Sequence, residues 1–296
     1  MTITATGEQH CWVCESPDLE LGRRTGIDVR ALGSQDFAIS DSRYGRTGDI
    51  YRCRACGFLE CPDLDGVLGH YQGLVDQDYE QGRAERALQA RQLLATLAPW
   101  KPAGRLLDVG AGSGILVEQA LARGYAAKGI EPSEWLQRRA ADRGLPVYQG
   151  TLPHPDLPGP FDLVTLIDVI EHVPDPVGIL QKITSVLAPD GLVAVVTPDV
   201  RSVAAQLLGF RWWHYRVAHV GYFHRGTLDR ALARSGLERL ATFRPGWYFT
   251  VDYLLERVRR YLPLPLPVPS AVRRLTIPLN LRDSLLVVAR RHGAPT

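Results

Sequence analysis

A glycine-rich turn between two apolar segments constrains this chain more than any other stretch. Residues Leu106–Gly114 read Leu-Leu-Asp-Val-Gly-Ala-Gly-Ser-Gly, and the apolar segment after them ends at Gly124. This order is typical of a strand, a tight loop and a helix N-terminus. Gly110, Gly112 and Gly114 let the main chain turn sharply and approach a ligand closely, and the free N–H groups of the helix face that ligand. The pattern predicts a binding loop, with a tight turn that binds nothing as the alternative.

An acidic residue after the next predicted strand indicates a nucleoside ligand. Tyr125–Ile130 is predicted to be a strand, and Glu131 follows it, 21 residues after Gly110. In doubly wound sheets a carboxylate at this distance accepts hydrogen bonds from ribose hydroxyls. The dinucleotide fingerprint needs a later glycine, but Ile115 and Leu116 occupy those places. A ligand without phosphates is therefore expected over a pyrophosphate.

Four stretches, in this order, resemble the class I S-adenosylmethionine-dependent methyltransferases. They are the glycine loop, Gly129–Ser133, Phe161–His172 and Leu187–Leu192. The resemblance implies an α/β fold with a Rossmann-like seven-stranded sheet. It also implies that the loop lies against the methionine part of the cofactor and that Glu131 binds its ribose.

The same resemblance extends the candidate site to neighbouring segments. In similar enzymes a tyrosine and an arginine of the lead-in helix contact the cofactor, and Gly150–Leu152 would lie beside the adenine. A solvated helix face is the alternative for the tyrosine and the arginines, including Arg83. The candidate cofactor-binding residues are Asp108, Gly110, Gly112, Gly114, Glu131, Thr151, Leu152, Asp168, Tyr79 and Arg86.

Length and composition exclude several classes of protein. A chain of 296 residues, of which 45% are hydrophobic, can form one large domain or two small ones. We find no run of about 18 apolar residues that would span a membrane, and the first residues lack the pattern of a signal peptide. We therefore expect a cytoplasmic protein without a transmembrane segment. A net charge of +2 gives no support for nucleic-acid binding.

All five cysteines precede residue 62, and four of them form two Cys-x-x-Cys pairs. Two such pairs can supply the four thiolates of a structural zinc site, since each pair occupies adjacent corners of a tetrahedron. The alternatives are two disulfides, which a cytosolic protein disfavours, or a catalytic dithiol. Cys61 is one thiol too many and is expected to be a free cysteine. The predicted Zn²⁺ ligands are Cys11, Cys14, Cys53 and Cys56.

Polar residues follow the apolar strand predicted at Phe161–Ile167. Ligands of doubly wound sheets bind beyond the carboxyl ends of the strands, so Asp168, Glu171 and His172 should face the crevice of the glycine loop. His172 could take a proton from an acceptor hydroxyl while Glu171 orients it. The segment also resembles the acidic-x-x-Glu-His of ubiquinone-biosynthesis O-methyltransferases, where it binds a divalent cation. A merely structural turn is the third possibility.

Six aromatic residues and three histidines lie within Phe210–His224. Aromatic faces with polar tips suit a substrate-binding segment, and we predict a lid over residues 200–224 in which His214 and His219 are catalytic candidates. The stretch resembles a segment of bacterial methyltransferases that carry a zinc ribbon, many of which act on sugars. Histidines packed for stability are the alternative.

Residues 244–281 form a predicted insertion before the last strand. It contains a basic amphipathic helix from Tyr253 to Leu262 and then a proline-rich connector. The helix could contact a membrane surface or a lipid-linked acceptor, although covering the pocket or a subunit interface is the commoner role. We therefore divide the chain into a zinc-ribbon module (1–63), a helical lead-in (64–99) and a methyltransferase domain (100–296) with an inserted cap.

Three functions remain open. The first is methyl transfer from S-adenosylmethionine to a small acceptor, preferably a sugar or glycan-pathway intermediate that is nucleotide- or lipid-linked. The second is O-methylation of a phenolic or quinone-like ring. The third is a non-catalytic zinc-ribbon binding protein, which would predict a damaged cofactor loop. Fold alone does not decide between them.

Overall fold

A computed structural model describes residues 9–40, 43–261 and 268–293. Within these ranges the strands are β1 (Leu19–Arg23), β2 (Ile50–Cys53), β3 (Leu59–Glu60), β4 (Arg105–Val109), β5 (Ala126–Glu131), β6 (Val147–Gln149), β7 (Phe161–Ile167), β8 (Leu187–Pro198), β9 (Gly221–Tyr222), β10 (Leu237–Phe243), β11 (Trp247–Thr250), β12 (Thr276–Leu279) and β13 (Ser284–Arg291). The helices are α1 (Val67–Gln72), α2 (Gln77–Gln81), α3 (Arg83–Leu97), α4 (Ile115–Ala122), α5 (Glu134–Ala141), α6 (Pro176–Val186), α7 (Val203–Leu208), α8 (Arg225–Arg234), α9 (Val251–Arg259) and α10 (Ser270–Arg273).

A seven-stranded sheet in the order β10-β13-β8-β7-β4-β5-β6 forms the centre of the molecule. The five strands from β8 to β6 are parallel to their neighbours, and β13 pairs antiparallel with both β8 and β10. Helices α4, α5 and α6 lie in connections between parallel strands, whereas a loop joins β6 to β7, and apolar clusters fill the space between helices and sheet. This arrangement confirms the predicted α/β fold with a Rossmann-like seven-stranded sheet.

Capping residues set the beginnings of two helices beside the site. The Ser133 side chain accepts from the N–H of Leu136 and starts α5. Asp175 caps α6, and Pro176 occupies its first position, where no N–H is needed. Both caps agree with the sequence pattern. Helix α8 begins at Arg225, because His224 is its N-cap.

The four-cysteine region is part of a second sheet, in the order β1-β2-β3-β9. Its last strand comes from residues 221–222, far along the chain, so the N-terminal region is joined to the rest by main-chain pairing. An apolar cluster that includes the buried Trp212 fills the space between them. Among the described residues, none of 200–224 lines the cavity at the sheet edge; Val203 and Leu207 are exposed to solvent, and residues 212–224 are largely buried in the interior. The aromatic residues of this segment are buried because the N-terminal region provides apolar surface for them to pack against.

The insertion differs from its predicted form. Trp247–Thr250 and Thr276–Leu279 pair as an antiparallel ribbon that the sequence analysis did not predict. The basic helix is present as α9, which ends at Arg259. Most of the proline-rich connector, residues 262–267, lies outside the described residues. In the described ranges, no helix combines the length and the apolar character needed to cross a membrane.

Candidate functional site

A cavity of about 670 Å³ opens at the carboxyl ends of the parallel strands. Its walls come from the glycine loop, the ends of β5 and β7, helices α1 and α3, and the insertion. The candidate cofactor-binding residues that line it are Asp108, Gly110, Gly112, Glu131, Thr151, Leu152, Asp168, Tyr79 and Arg86. The structure therefore brings together all of the predicted cofactor-binding residues except Gly114.

The three glycines of the loop have different roles. Gly110 and Gly112 have φ angles of 75° and 55°, which side-chain-bearing residues rarely adopt. A Cβ on Gly110 would lie 2.4 Å from a methyl carbon of Val169, and one on Gly112 would lie 2.5 Å from the Tyr79 hydroxyl. Gly114 is the residue before α4, and it packs against Leu145, away from the cavity. The first two glycines thus keep the groove open, whereas the third permits close packing of helix and sheet.

Glu131 is fixed at the end of β5 by main-chain donors. The N–H groups of Gly112 and Ser133 donate to its two carboxylate oxygens, each at 2.8 Å. The side chain is 6% exposed and lines the cavity. Because each carboxylate oxygen can accept further hydrogen bonds, Glu131 can bind ligand hydroxyls from this position.

Three carboxyl groups surround the groove, of which Asp108 and Glu131 are buried and Asp168 is half-buried. Burial raises the pKa of Asp108, of Glu131 and of Asp168 to about 7 each. Asp108 accepts a hydrogen bond of 2.6 Å from the Thr165 hydroxyl, and Asp168 has a φ of 51° at the end of β7. Several acidic groups held out of water favour a positively charged ligand, since it would stabilise their ionised forms.

His172 lies on the cavity wall with one ring nitrogen bound to the protein. Its Nδ1 is 2.7 Å from the carbonyl oxygen of Ala218 and 2.5 Å from the Tyr71 hydroxyl. A carbonyl can only accept, so Nδ1 carries the proton in the neutral ring. Burial lowers the pKa of His172 to about 3. At neutral pH the ring is therefore uncharged, and Nε2 carries a lone pair that can accept a proton.

The other three catalytic candidates lie behind His172. Glu171 accepts from the Thr197 hydroxyl at 2.9 Å, and the His219 ring is perpendicular to that of His172 at 4.7 Å. His214 stacks on His219 and lies 3.4 Å from an oxygen of Asp283. Of the four, only His172 lines the cavity among the described residues.

Sequence reasoning missed Arg216, which lies at the centre of this cluster. Its Nε donates to Nε2 of His219 at 3.1 Å, and its Nη1 donates to the carbonyl of Ile39 at 2.7 Å. The guanidinium lowers the pKa of His172, after the larger effect of burial. Its position within a stretch rich in aromatic and histidine residues was the one available signal.

A divalent cation at this cluster has limited support. One ligand atom each from Glu171, His172 and His219 lie within 4.8 Å of one another. However, His219 already accepts from Arg216, whose fixed positive charge would repel a metal ion. Asp168, the third predicted ligand, is not part of the group. A metal bound through Nδ1 of His219, which has no hydrogen-bond partner among the described residues, would lie beside a positive charge that the protein itself supplies.

The four predicted zinc ligands form a compact cluster. Their sulfur atoms all lie within 4.8 Å of one another, with 3.7 Å from Cys11 to Cys56 and 3.5 Å from Cys14 to Cys53. Zn–S bonds of about 2.3 Å in a tetrahedron place the sulfur atoms about 3.8 Å apart, so the residues fit Zn²⁺. Cys61 is buried outside the cluster.

Comparison with known proteins agrees with this geometry. Residues 81–242 match the model of a family described as a methyltransferase domain. A ubiquinone biosynthesis O-methyltransferase from Haemophilus ducreyi is 34% identical over 116 residues, which are 35% of this chain and 49% of that protein. The protein of the same name from Chromobacterium violaceum is 34% identical over 147 residues, which are 46% of this chain and 62% of that protein. The chain spans about half the length of the curated relatives it matches.

A solved structure supports the fold alone. It is a chain from the complex of the Haloferax volcanii Trm112 methyltransferase activator with a methyltransferase, with a TM-score of 0.51 at 16% identity. The match covers 79% of this chain and 98% of that one.

Proposed function

The chain belongs to this methyltransferase domain family, and on that premise we propose that it transfers a methyl group from S-adenosylmethionine to an oxygen of a small acceptor. When bound, S-adenosylmethionine supplies a methyl group on a positively charged sulfur. The observation that carries the proposal is the groove itself, in which Asp108, Glu131 and Asp168 surround an open glycine loop. An intact loop also argues against a non-catalytic binding protein.

Each part of the cofactor has residues suited to hold it. Glu131 would accept from the ribose hydroxyls, because its oxygens are oriented by two main-chain N–H groups. Thr151 and Leu152 would contact the adenine, with Leu152 buried in the apolar cluster below. Asp108 and Asp168 would stabilise the positive charges of the methionine part.

The acceptor that we propose first is a phenolic or quinone-like ring. The resemblance to methyltransferases that carry a zinc ribbon favours a sugar, but the curated relatives are ubiquinone biosynthesis O-methyltransferases. The cavity wall supports the same preference. Besides the cofactor groove it is lined largely by apolar side chains, among them Ile39, Val67, Leu68, Val173, Ile179 and Trp247. Such a wall favours a flat apolar ring, whereas a sugar would need more polar partners.

His172 is our candidate for the group that accepts the proton of the acceptor hydroxyl. Methyl transfer from a sulfonium requires an in-line nucleophile. A hydroxyl acceptor becomes strongly acidic as its oxygen bonds to the methyl carbon, so a ring whose pKa is about 3 can take the proton at that stage. The hydrogen bond from Nδ1 to Ala218 leaves Nε2 as the accepting atom. Glu171, His214 and His219 would act through this ring rather than on the substrate.

The test is transfer of a radiolabelled methyl group to a panel of catechols, hydroquinones and nucleotide-linked sugars. We expect label in the ring compounds and about 10²-fold to 10⁴-fold less with His172→Ala, the range typical of general bases. His154→Ala is the control, since His154 lies in the loop after β6 and outside the cavity lining. Label in sugars alone would overturn the acceptor assignment. No label in any acceptor, despite cofactor binding, would favour a binding protein.

A further inference from the structure

We propose that zinc bound by the four cysteines fixes the segment from Tyr215 to Tyr222, and that the metal thereby positions the histidine cluster behind the cavity. This inference rests on the proposed function for its catalytic consequence. The structural part, which is the dependence of this segment on zinc, does not need the enzyme to be active.

Main-chain hydrogen bonds lead from the cysteine cluster to the catalytic turn. The second Cys-x-x-Cys pair closes a tight turn, in which the N–H of Gly57 donates to the carbonyl of Cys53 at 2.8 Å. The strand that follows, β3, pairs antiparallel with β9. At the end of that pairing the N–H of Cys61 donates to Val220, and the N–H of Val220 donates to Glu171, at 2.8 and 2.9 Å. Strand β3, the segment that contains Val220 and the turn that contains Glu171 are thus linked one after another, and that turn also carries His172.

The same N-terminal region holds the cation of the cluster. Arg216 donates through Nη1 to the carbonyl of Ile39 at 2.7 Å and through Nε to Nε2 of His219 at 3.1 Å. Next to it, the N–H of Gly45 donates to the carbonyl of Tyr215 at 2.7 Å. Ile39 and Gly45 therefore hold Arg216 and its neighbour Tyr215 from outside the methyltransferase sheet, and Arg216 contacts His219.

A buried carboxyl group connects the two halves of the cysteine cluster. Glu60 of β3 is fully buried and accepts from the N–H of Trp12 at 3.0 Å, between Cys11 and Cys14 in the chain. The first cysteine pair is thereby attached to the strand that pairs with β9. Few secondary-structure hydrogen bonds hold residues 9–63 together, since their strands contain two to five residues. Such a region depends on its metal for much of its folding free energy.

Without zinc, we expect β3 to separate from β9 while the seven-stranded sheet remains folded. Arg216 and His219 would then lose their fixed positions, and His172 would lose the turn at Ala218 that orients its ring. A misplacement of about 1 Å in catalytic groups can cost about 100-fold in rate. The cofactor groove would be little affected, because Ile39 is its one lining residue from the described part of residues 9–63.

The experiment compares the full-length zinc-bound protein with a Cys56→Ser variant by hydrogen exchange, cofactor calorimetry and methyl transfer. We expect amide exchange in residues 214–222 to rise by at least about tenfold, since this segment would open locally. Exchange in 105–116 and the Kd for S-adenosylmethionine should stay within about twofold, and kcat should fall by about 100-fold. Cys61→Ala is the control, because Cys61 is outside the cluster and should leave zinc content unchanged.

A second variant tests the inference in case Cys56→Ser unfolds completely. A Cβ on Gly221 would lie 2.9 Å from the Phe58 ring, so Gly221→Ala pushes β9 from β3 without touching a cysteine. We expect it to retain zinc and cofactor binding while exchange in 214–222 rises and kcat falls. Unchanged exchange in 214–222 after zinc loss would overturn the inference. Raised exchange in an enzyme that methylates no acceptor would keep the inference and refute only the proposed function.

Discussion

At the scale of single residues, cofactor affinity is expected to depend on Glu131. Its oxygens accept from Gly112 and Ser133, so Glu131→Gln removes the charge and presents an NH₂ group to one of these donors. Hydrogen bonds to charged groups contribute about 1.5–3 kcal/mol. We therefore expect the Kd for S-adenosylmethionine to rise by about 10- to 100-fold in calorimetric titration. Glu134→Gln, an exposed neighbour on α5, should leave it unchanged. Equal affinities in the three proteins would refute the ribose assignment.

The three carboxyl groups around the groove, Asp108, Glu131 and Asp168, predict that cofactor binding depends on pH. Their pKa values are raised to about 7, so they are largely protonated below pH 7 and ionised above it. A cationic ligand prefers the ionised forms, and the Kd for S-adenosylmethionine should rise as the pH falls from 8 to 6. The slope should approach about tenfold per pH unit for each group that must lose its proton.

S-adenosylhomocysteine is the natural control, because it lacks the sulfonium charge and should show a shallower dependence. Parallel slopes for the two ligands would show that the carboxyl groups do not respond to that charge. Calorimetry in buffers of different ionisation enthalpy would also measure the protons released on binding.

At the scale of elements, the insertion is expected to affect the acceptor and not the cofactor. Trp247 of β11 lines the cavity, while its neighbour Tyr248 does not. A contact between aromatic rings contributes about 0.5–1.5 kcal/mol beyond its buried area, so Trp247→Ala should raise the KM for a ring acceptor about tenfold. The Kd for S-adenosylmethionine should not change, and Tyr248→Ala is the matched control. If Tyr248→Ala has the same effect on KM, the ribbon matters as a whole and Trp247 makes no specific contact.

Elements that follow local rules could be predicted from the sequence. Phe161–Ile167 has the predicted bounds, since a segment that is mostly apolar forms a strand where both of its faces are buried. The β11–β12 ribbon could not be predicted, because its two strands are far apart in sequence and one of them contains Pro278. The position of residues 200–224 could not be predicted either, because it depends on contacts with distant segments. Their aromatic composition indicates that they are buried, but it does not specify which segment of the protein covers them.

The same distinction applies within the site. The glycine loop and Glu131 line the cavity as expected, because the end of a parallel strand determines where its residues lie. The contact between Tyr71 and His172 joins residues 101 positions apart, and Arg216 reaches Ile39 across 177. No local pattern specifies such contacts. They depend on how the N-terminal region packs on the sheet.

At the scale of the whole molecule, zinc binding is expected to stabilise the N-terminal region, which the β3–β9 pairing joins to the rest of the chain. Elemental analysis should find one zinc per chain in the wild-type protein and in Cys61→Ala, and much less in Cys14→Ser. Loss of the metal should lower the melting temperature, because zinc binding contributes folding free energy to the region it closes. A Cys14→Ser protein with full zinc content would show that the four cysteines are not the ligands.

The most direct test of the central claim is calorimetric titration of the purified protein with S-adenosylmethionine and, separately, with a nicotinamide dinucleotide. The account predicts one S-adenosylmethionine per chain, weakened by Glu131→Gln, and no binding of the dinucleotide. Binding of the dinucleotide in the glycine-loop groove, or no binding of S-adenosylmethionine at any pH from 6 to 8, would contradict it.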